Sequence, residues 1–170
     1  MTLEELNRAP APVARAALER CCGSHAWVQG MIAARPFADR AALLDRSDRI
    51  ARTLMEADWR EAFAHHPRIG DRESLRRRFA TTAAWAGAEQ AAASAAGEDV
   101  LSALAEGNRE YEARFGYIFI VCATGRGAGE MLAALRERLA NDSANELRIA
   151  AEEQMKITRL RLEKLLAENP

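Results

Sequence analysis

Two adjacent histidines, His65 and His66, stand directly before Pro67, and no other residues of the chain are better suited to move protons near neutral pH. The run from Asp58 to Ala64 leads into them with helical spacing. Pro67 disfavours the α conformation for the residue before it, so His66 is expected at a helix end, facing a loop. Two partly positive rings at a helix C-terminus would serve the helix dipole equally well, and the pair alone does not decide between catalyst and cap. Glu89 is a second candidate. It is the lone carboxylate between Glu73 and Glu98, in an alanine-rich helical segment whose small side chains let a ligand come close, although a solubilising charge would look the same. The third is Arg161. At 100° per residue the last helix gathers Arg148, Glu152, Lys156, Arg159 and Glu163 on one side and Leu147, Ala150, Ala151, Ile157, Leu162 and Leu165 on the other, with Arg161 in the middle of the apolar face. A guanidinium is too costly to bury alone, so Arg161 must meet a protein carboxylate or a bound anion, and its flat fork suits carboxylates and planar ureas.

The elements that must position these residues read as helices. Thr2-Leu-Glu-Glu5 is a capping box, and Pro10 and Pro12 restart the chain into a segment with Val13, Ala17 and Cys21 four residues apart. Ser24 can cap a helix carrying Trp27 and Met31 that ends by Arg35-Pro36, while His25 in that turn reads as a surface or capping residue. Asp39 or Ser47 can cap the pieces running through Ile50, Leu54 and Trp59. Leu101, Leu104, Asn108, Tyr111 and Phe115 form a buried stripe with one polar member that needs a hydrogen-bond partner. The run from Phe115 to Ala123 is the strongly β-prone stretch, yet it has no sheet to join. As an extended segment it could offer backbone groups to an amide-rich ligand, and as a packed helix it could not. Gly125-Arg-Gly-Ala-Gly129 lacks the lysine and the spacing of a phosphate loop and reads as a turn into a helix over 130–140. Ser143-Ala-Asn-Glu146 reads as a capping box that opens a last helix of about 25 residues.

Composition narrows the classes further. With 170 residues and 49% hydrophobic content the chain can build one core. Twenty-four basic residues against 25 acidic ones give a formal charge of −1, so no overall field draws nucleic acid or a membrane surface, and the arginines between Arg68 and Arg78 act locally if at all. Three cysteines, Cys21, Cys22 and Cys122, make no disulfide framework and pair with no histidine motif for zinc, which fits a reducing cytosol. No apolar run reaches the ~18 residues of a membrane span, and the N-terminus lacks a basic flank before an apolar stretch, so neither secretion nor membrane insertion is expected.

In order along the chain, His66-Pro67, Glu89-Gln90, Arg114-Phe115-Gly116, Phe119-Ile120, Asn141-Asp142 with Glu146, and Ile157-x-x-Leu160-Arg161-Leu162 resemble the 2-oxo-4-hydroxy-4-carboxy-5-ureidoimidazoline (OHCU) decarboxylases of urate breakdown, and the likeness runs nearly end to end. The resemblance implies an all-α fold over one domain, residues 1–170: a bundle of several short helices with a long C-terminal helix and one extended apolar segment. It also implies a homodimer that turns OHCU into (S)-allantoin without a cofactor, and the cysteine usage adds a cytoplasmic location. His66 would be the acid/base residue, Glu89 would contact the substrate and Arg161 would anchor it. Further contacts would come from Pro67, Gln90 and the segment Phe119, Ile120, Val121, Cys122 and Ala123. Many members carry a hydroxyl residue where this chain has Ala86, so that contact is lost or replaced. Two other classes compete. One is a non-enzymatic helical interaction domain, in which the stripe from Leu101 to Phe115 and the last helix form a partner surface. The other is a metal hydrolase using His65 and His66, disfavoured because adjacent histidines seldom bind one ion and no HxxxH completes a set.

The absence of a ligand set in the sequence and a substrate that holds its own electron sink together predict that turnover survives exhaustive dialysis against EDTA. Activity lost on dialysis and restored by zinc or manganese would contradict it.

Overall fold

All regular structure in the computed structural model, which describes residues 1–67, 75 and 90–167, is helical. Eight helices run in order: α1 (Leu3–Arg8), α2 (Ala11–Glu19), α3 (His25–Ala33), α4 (Arg40–Ala51), α5 (Glu56–Ala64), α6 (Gln90–Phe115), α7 (Ala128–Leu139) and α8 (Ser143–Ala167). The chain forms two compact units, one of Met1–His66 with Leu147–Pro170 and one of Pro67–Glu146.

In the first unit the helix starts follow local side-chain chemistry. Thr2 accepts from the Glu5 amide and the Glu5 carboxylate accepts from the Thr2 amide, which closes the expected box at α1. The Ser24 hydroxyl accepts from Trp27 N at 3.3 Å, and an Asp39 oxygen accepts from Ala42 N at 2.7 Å. Each oxygen satisfies an amide that the first turn leaves without a partner. Leu6, Leu18, Trp27, Met31, Leu43, Phe63 and Leu162 fill the interior, each large side chain gaining on the order of 1.5–3 kcal/mol from leaving water. Two expectations fail here. Ser47 caps nothing: it lies inside α4, buried, and accepts from the indole N–H of Trp27 at 3.3 Å, because an indole taken into the core must find an acceptor. Of the expected stripe Ala17 and Cys21 are buried but Val13 is half exposed, and the buried face is completed by Ala14 and Leu18 instead.

The second unit holds α6, α7 and the non-helical segment between them. On α6 the expected stripe is buried at Leu101, Leu104, Tyr111 and Phe115, and Gly107 admits Leu135 of α7 so closely that a Cβ there would lie 2.7 Å from its Cδ2. Residues 118–123 form neither a strand nor a helix. Their backbone is held by Arg138, whose Nη1 donates to the carbonyl of Ile120 at 2.5 Å while its guanidinium lies 4.7 Å from the ring centre of Phe119. That arginine also donates from Nε to Oε1 of Glu146 at 2.7 Å. Glu146 further accepts from the hydroxyl of buried Tyr111 and from Asn141 Nδ2 at 2.8 Å. Burial and the Glu146 carboxylate together push the Tyr111 hydroxyl well above its ordinary pKa, so it stays a neutral donor.

This cluster overturns the expected box at Ser143. Asp142 is the cap, its Oδ1 accepting from Ala144 N at 3.1 Å and Asn145 N at 2.9 Å, while Glu146 is committed to Arg138 and cannot reach back. The helix it opens has the 25 residues expected.

Removing one member of this pair strands the other charge in the interior. Arg138→Ala should destabilise the protein by about 3–5 kcal/mol in denaturant titrations, and Arg138→Met with Glu146→Leu should recover much of the loss. Equal stability of Arg138→Ala and wild type would contradict this reading of the cluster.

Candidate active site

The end of α5 sets the histidines as the proline demands. His65 N donates to Ala62 O at 3.3 Å and His66 N to Phe63 O at 3.1 Å, after which the chain leaves the helix at Pro67. The two rings then differ. His65 lies mostly in solvent with its inner edge on Gly23, where a Cβ would come within 2.2 Å of its Cγ and 2.4 Å of its Cβ. His66 is half buried, and its Nε2 lies 2.6 Å from Oε1 of Gln154, a fully buried residue of α8. Desolvation lowers the pKa of His66 first; the bond to Gln154 pulls the other way, and the positive charge of Arg161 and the neighbouring His65 lower it further. His66 is therefore neutral at pH 7 and able to accept a proton.

Arg161 is half buried on the same helix. Its Nη1 faces the carbonyl of Cys21 at 3.5 Å, a long hydrogen bond, and among the described residues no carboxylate lies within ion-pairing distance. Arg159, two residues earlier, is exposed and pairs with Asp48 at 3.4 Å and Glu163 at 3.8 Å. The two arginines thus separate by helix face as the sequence indicates. Among the described residues Arg161 leaves most of its hydrogen-bonding capacity unspent, and such a guanidinium suits an anionic or urea-like group.

A polar line runs through the same place. Gln154, Thr158 and Arg161 follow one another at four and three residues along α8, so they share a face, and the first two are buried. Gln154 Nε2 donates to Thr158 Oγ1 at 3.2 Å, and Thr158 hydrogen-bonds the thiol of Cys22. Burial raises the Cys22 pKa and keeps it a thiol, against smaller opposing contributions from the Ser24 amide, Thr158 and Arg161. Gln154, Thr158 and Cys22 escaped the sequence reading, since none carries charge and each type is common in cores. Their helical register with Arg161 was the available signal.

The structure brings His66 and Arg161 into the first unit, with the charge of Arg161 acting on the His66 ring. Pro67 and the segment Phe119, Ile120, Val121, Cys122 and Ala123 belong to the second. There Ile120 is buried and its carbonyl accepts from Arg138. Phe119, Val121, Cys122 and Ala123 are half buried. Gln90 is the first residue of α6. Glu89, Ala86 and the arginines between Arg68 and Arg78 lie outside the described residues.

A half-buried neutral histidine and, among the described residues, a cation with capacity to spare have the chemistry that acid/base work on a small anion would need. The family profile described as OHCU decarboxylase matches residues 7–163, and the chain belongs to that family. It is 41% identical over 151 residues to the uric acid degradation bifunctional protein TTL of Arabidopsis thaliana, covering 87% of this chain but 46% of the plant protein, so the chain spans less than half of that relative's length. It is 33% identical over 158 residues to a putative 2-oxo-4-hydroxy-4-carboxy-5-ureidoimidazoline decarboxylase of Homo sapiens, covering 91% of this chain and 87% of the human one. A crystal structure of OHCU decarboxylase in the presence of (S)-allantoin superposes with a TM-score of 0.69 at 40% identity, over 88% of this chain and 96% of that one.

Gly23→Ala should disturb this end of α5, because the new Cβ meets the stem of His65 rather than a yielding tip. The expected result is a lower melting temperature together with reduced kcat/KM, whereas Gly129→Ala, with no neighbouring atom within 4 Å, should change neither. A Gly23→Ala variant that melts and turns over like wild type would show that the turn is not fixed by this contact.

Proposed function

We propose that this chain, as one domain over residues 1–170, catalyses the cofactor-independent decarboxylation of OHCU to (S)-allantoin in urate degradation, as a homodimer in the cytoplasm. The observation that carries the reading is the neutral His66 within the charge field of an Arg161 that no described carboxylate neutralises, in a chain of the OHCU decarboxylase family. The three free cysteines fit a reducing compartment, and among the described residues no helix is long and apolar enough to cross a membrane.

The chemistry asks little of the protein beyond orientation and one proton transfer. The substrate carboxylate leaves as CO₂, the bonding pair moves into the adjacent ring C=N, and the ring nitrogen takes a proton from solvent. His66 then accepts the proton of the hydroxyl and returns it to the neighbouring carbon as the carbonyl forms. Delivery to one face fixes the handedness of the product. Arg161 holds the planar ureido group or the carboxylate, and Glu89 holds the hydroxyl or a ring N–H. The likeness to the family adds Pro67, Gln90 and the segment 119–123 as substrate contacts, and the missing hydroxyl at Ala86 leaves that part of the contact to other groups.

Freshly generated OHCU, followed by circular dichroism, should give one enantiomer of allantoin with the protein and a racemate without it. Racemic product at the uncatalysed rate would end the decarboxylase reading in favour of a non-enzymatic helical interaction domain. His66→Asn should lower kcat by roughly 10² or more, and His65→Asn far less. Because the His66 pKa is lowered in the folded protein, the neutral ring persists below the ordinary value of about 6.5, so kcat/KM should be flat above that pH and fall only as the pH drops through the depressed value. An acid limb lying above pH ~7 would contradict His66 as the accepting base.

A further inference from the structure

The hydrogen bonds behind His66 have a direction, and that direction selects a tautomer. Thr158 is where it is set. Its hydroxyl lies between the thiol of Cys22, with which it shares a hydrogen bond, and the amide of Gln154. The NH₂ of Gln154 donates to that hydroxyl, with Nε2 3.2 Å from Thr158 Oγ1. The amide oxygen is then turned toward His66, 2.6 Å from Nε2 of the ring. An oxygen only accepts, so in the neutral ring that nitrogen must carry the hydrogen. Both Gln154 and Thr158 are buried, at 0% and 3% exposure, so water does not compete for these bonds.

We propose that Gln154, oriented by Thr158, is a positioning residue that holds His66 as its Nε2–H tautomer and leaves Nδ1 as the nitrogen that takes and returns the substrate proton. The catalytic part rests on His66 being the acid/base residue of the decarboxylase reading; the tautomer does not. A ring free to choose would spend part of its time with Nδ1 protonated and unable to accept. Among the described residues, the other charged or titratable groups acting on the ring are Arg161 from α8 and His65 from its own turn. Both disfavour a second proton, and neither accepts a hydrogen bond from it.

The test is two-bond ¹H–¹⁵N correlation of the histidine rings in the full chain, with His66 assigned by its loss in His66→Asn. Above the pKa of the ring, the wild-type spectrum should show the Nε2–H pattern. A Nδ1–H pattern there overturns the proposal whatever the variants do. Thr158→Val removes the group that orients the amide, so it should yield mixed tautomers and a kcat lower by about tenfold with KM little changed, and Thr158→Ser should restore both. Gln154→Glu should move the acid limb of kcat/KM upward, because a carboxylate against the ring favours its charged form, a shift that a merely structural residue would not produce. An unmoved limb together with unchanged kcat in Thr158→Val would also overturn it. Absence of turnover in the unmutated chain would sink the decarboxylase reading, and the catalytic part with it, while the tautomer stands or falls on its own spectrum.

Discussion

The satisfaction of polar side chains on the buried face of α8 is the constraint on which the site depends. A helix packed into a core by leucine and alanine does not ordinarily carry glutamine, threonine and arginine on an inward face, since each costs free energy to desolvate and must be repaid in hydrogen bonds. Here the repayment is local. Gln154 meets His66 and Thr158, Thr158 meets Cys22, and Arg161 reaches the Cys21 carbonyl. The turn after α2 and the end of α5 are therefore tied to α8 by polar contacts, and these are the places where the backbone must not drift if a proton is to be handed to one carbon.

Two arginines show how the same side chain serves structure and chemistry differently. Arg138 is nearly buried and fully engaged, with a carboxylate, a carbonyl, a phenol and two aromatic rings around its fork. It fixes the non-helical segment and the start of α8 in the second unit. Arg161 is more open and, among the described residues, holds one long bond. An ion pair that satisfies every donor leaves nothing for a ligand, whereas an underused guanidinium destabilises the empty protein slightly and is relieved by an anion.

Much of this was legible in the sequence where a single local rule decides the outcome. The caps at Thr2, Ser24 and Asp39, the helix end before Pro67 and the length of the last helix all follow from side chains within four residues of the feature. Charge on an apolar face likewise revealed Arg161. Errors arose where a long-range partner claims a residue that local rules assign elsewhere: Ser47 goes to the Trp27 indole, and Glu146 goes to Arg138 and leaves the cap to Asp142. Gln154 was invisible for the same reason, because a neutral side chain declares its role only once its partner 88 residues away in sequence is in place. The β-prone run after Phe115 shows the limit of propensity, for its apolar residues are held by an arginine and by rings rather than by a sheet.

The most direct test of the account compares melting temperature and turnover in Arg161→Ala, with Arg159→Ala as the control on the solvated face. If Arg161 is held ready for substrate, its loss should reduce kcat/KM by at least about 10²-fold while the melting temperature stays the same or rises, and Arg159→Ala should change both little, as exposed pairs contribute only ~0–1 kcal/mol. A large drop in melting temperature with unchanged turnover per folded molecule would make Arg161 a structural residue and contradict the site proposed here.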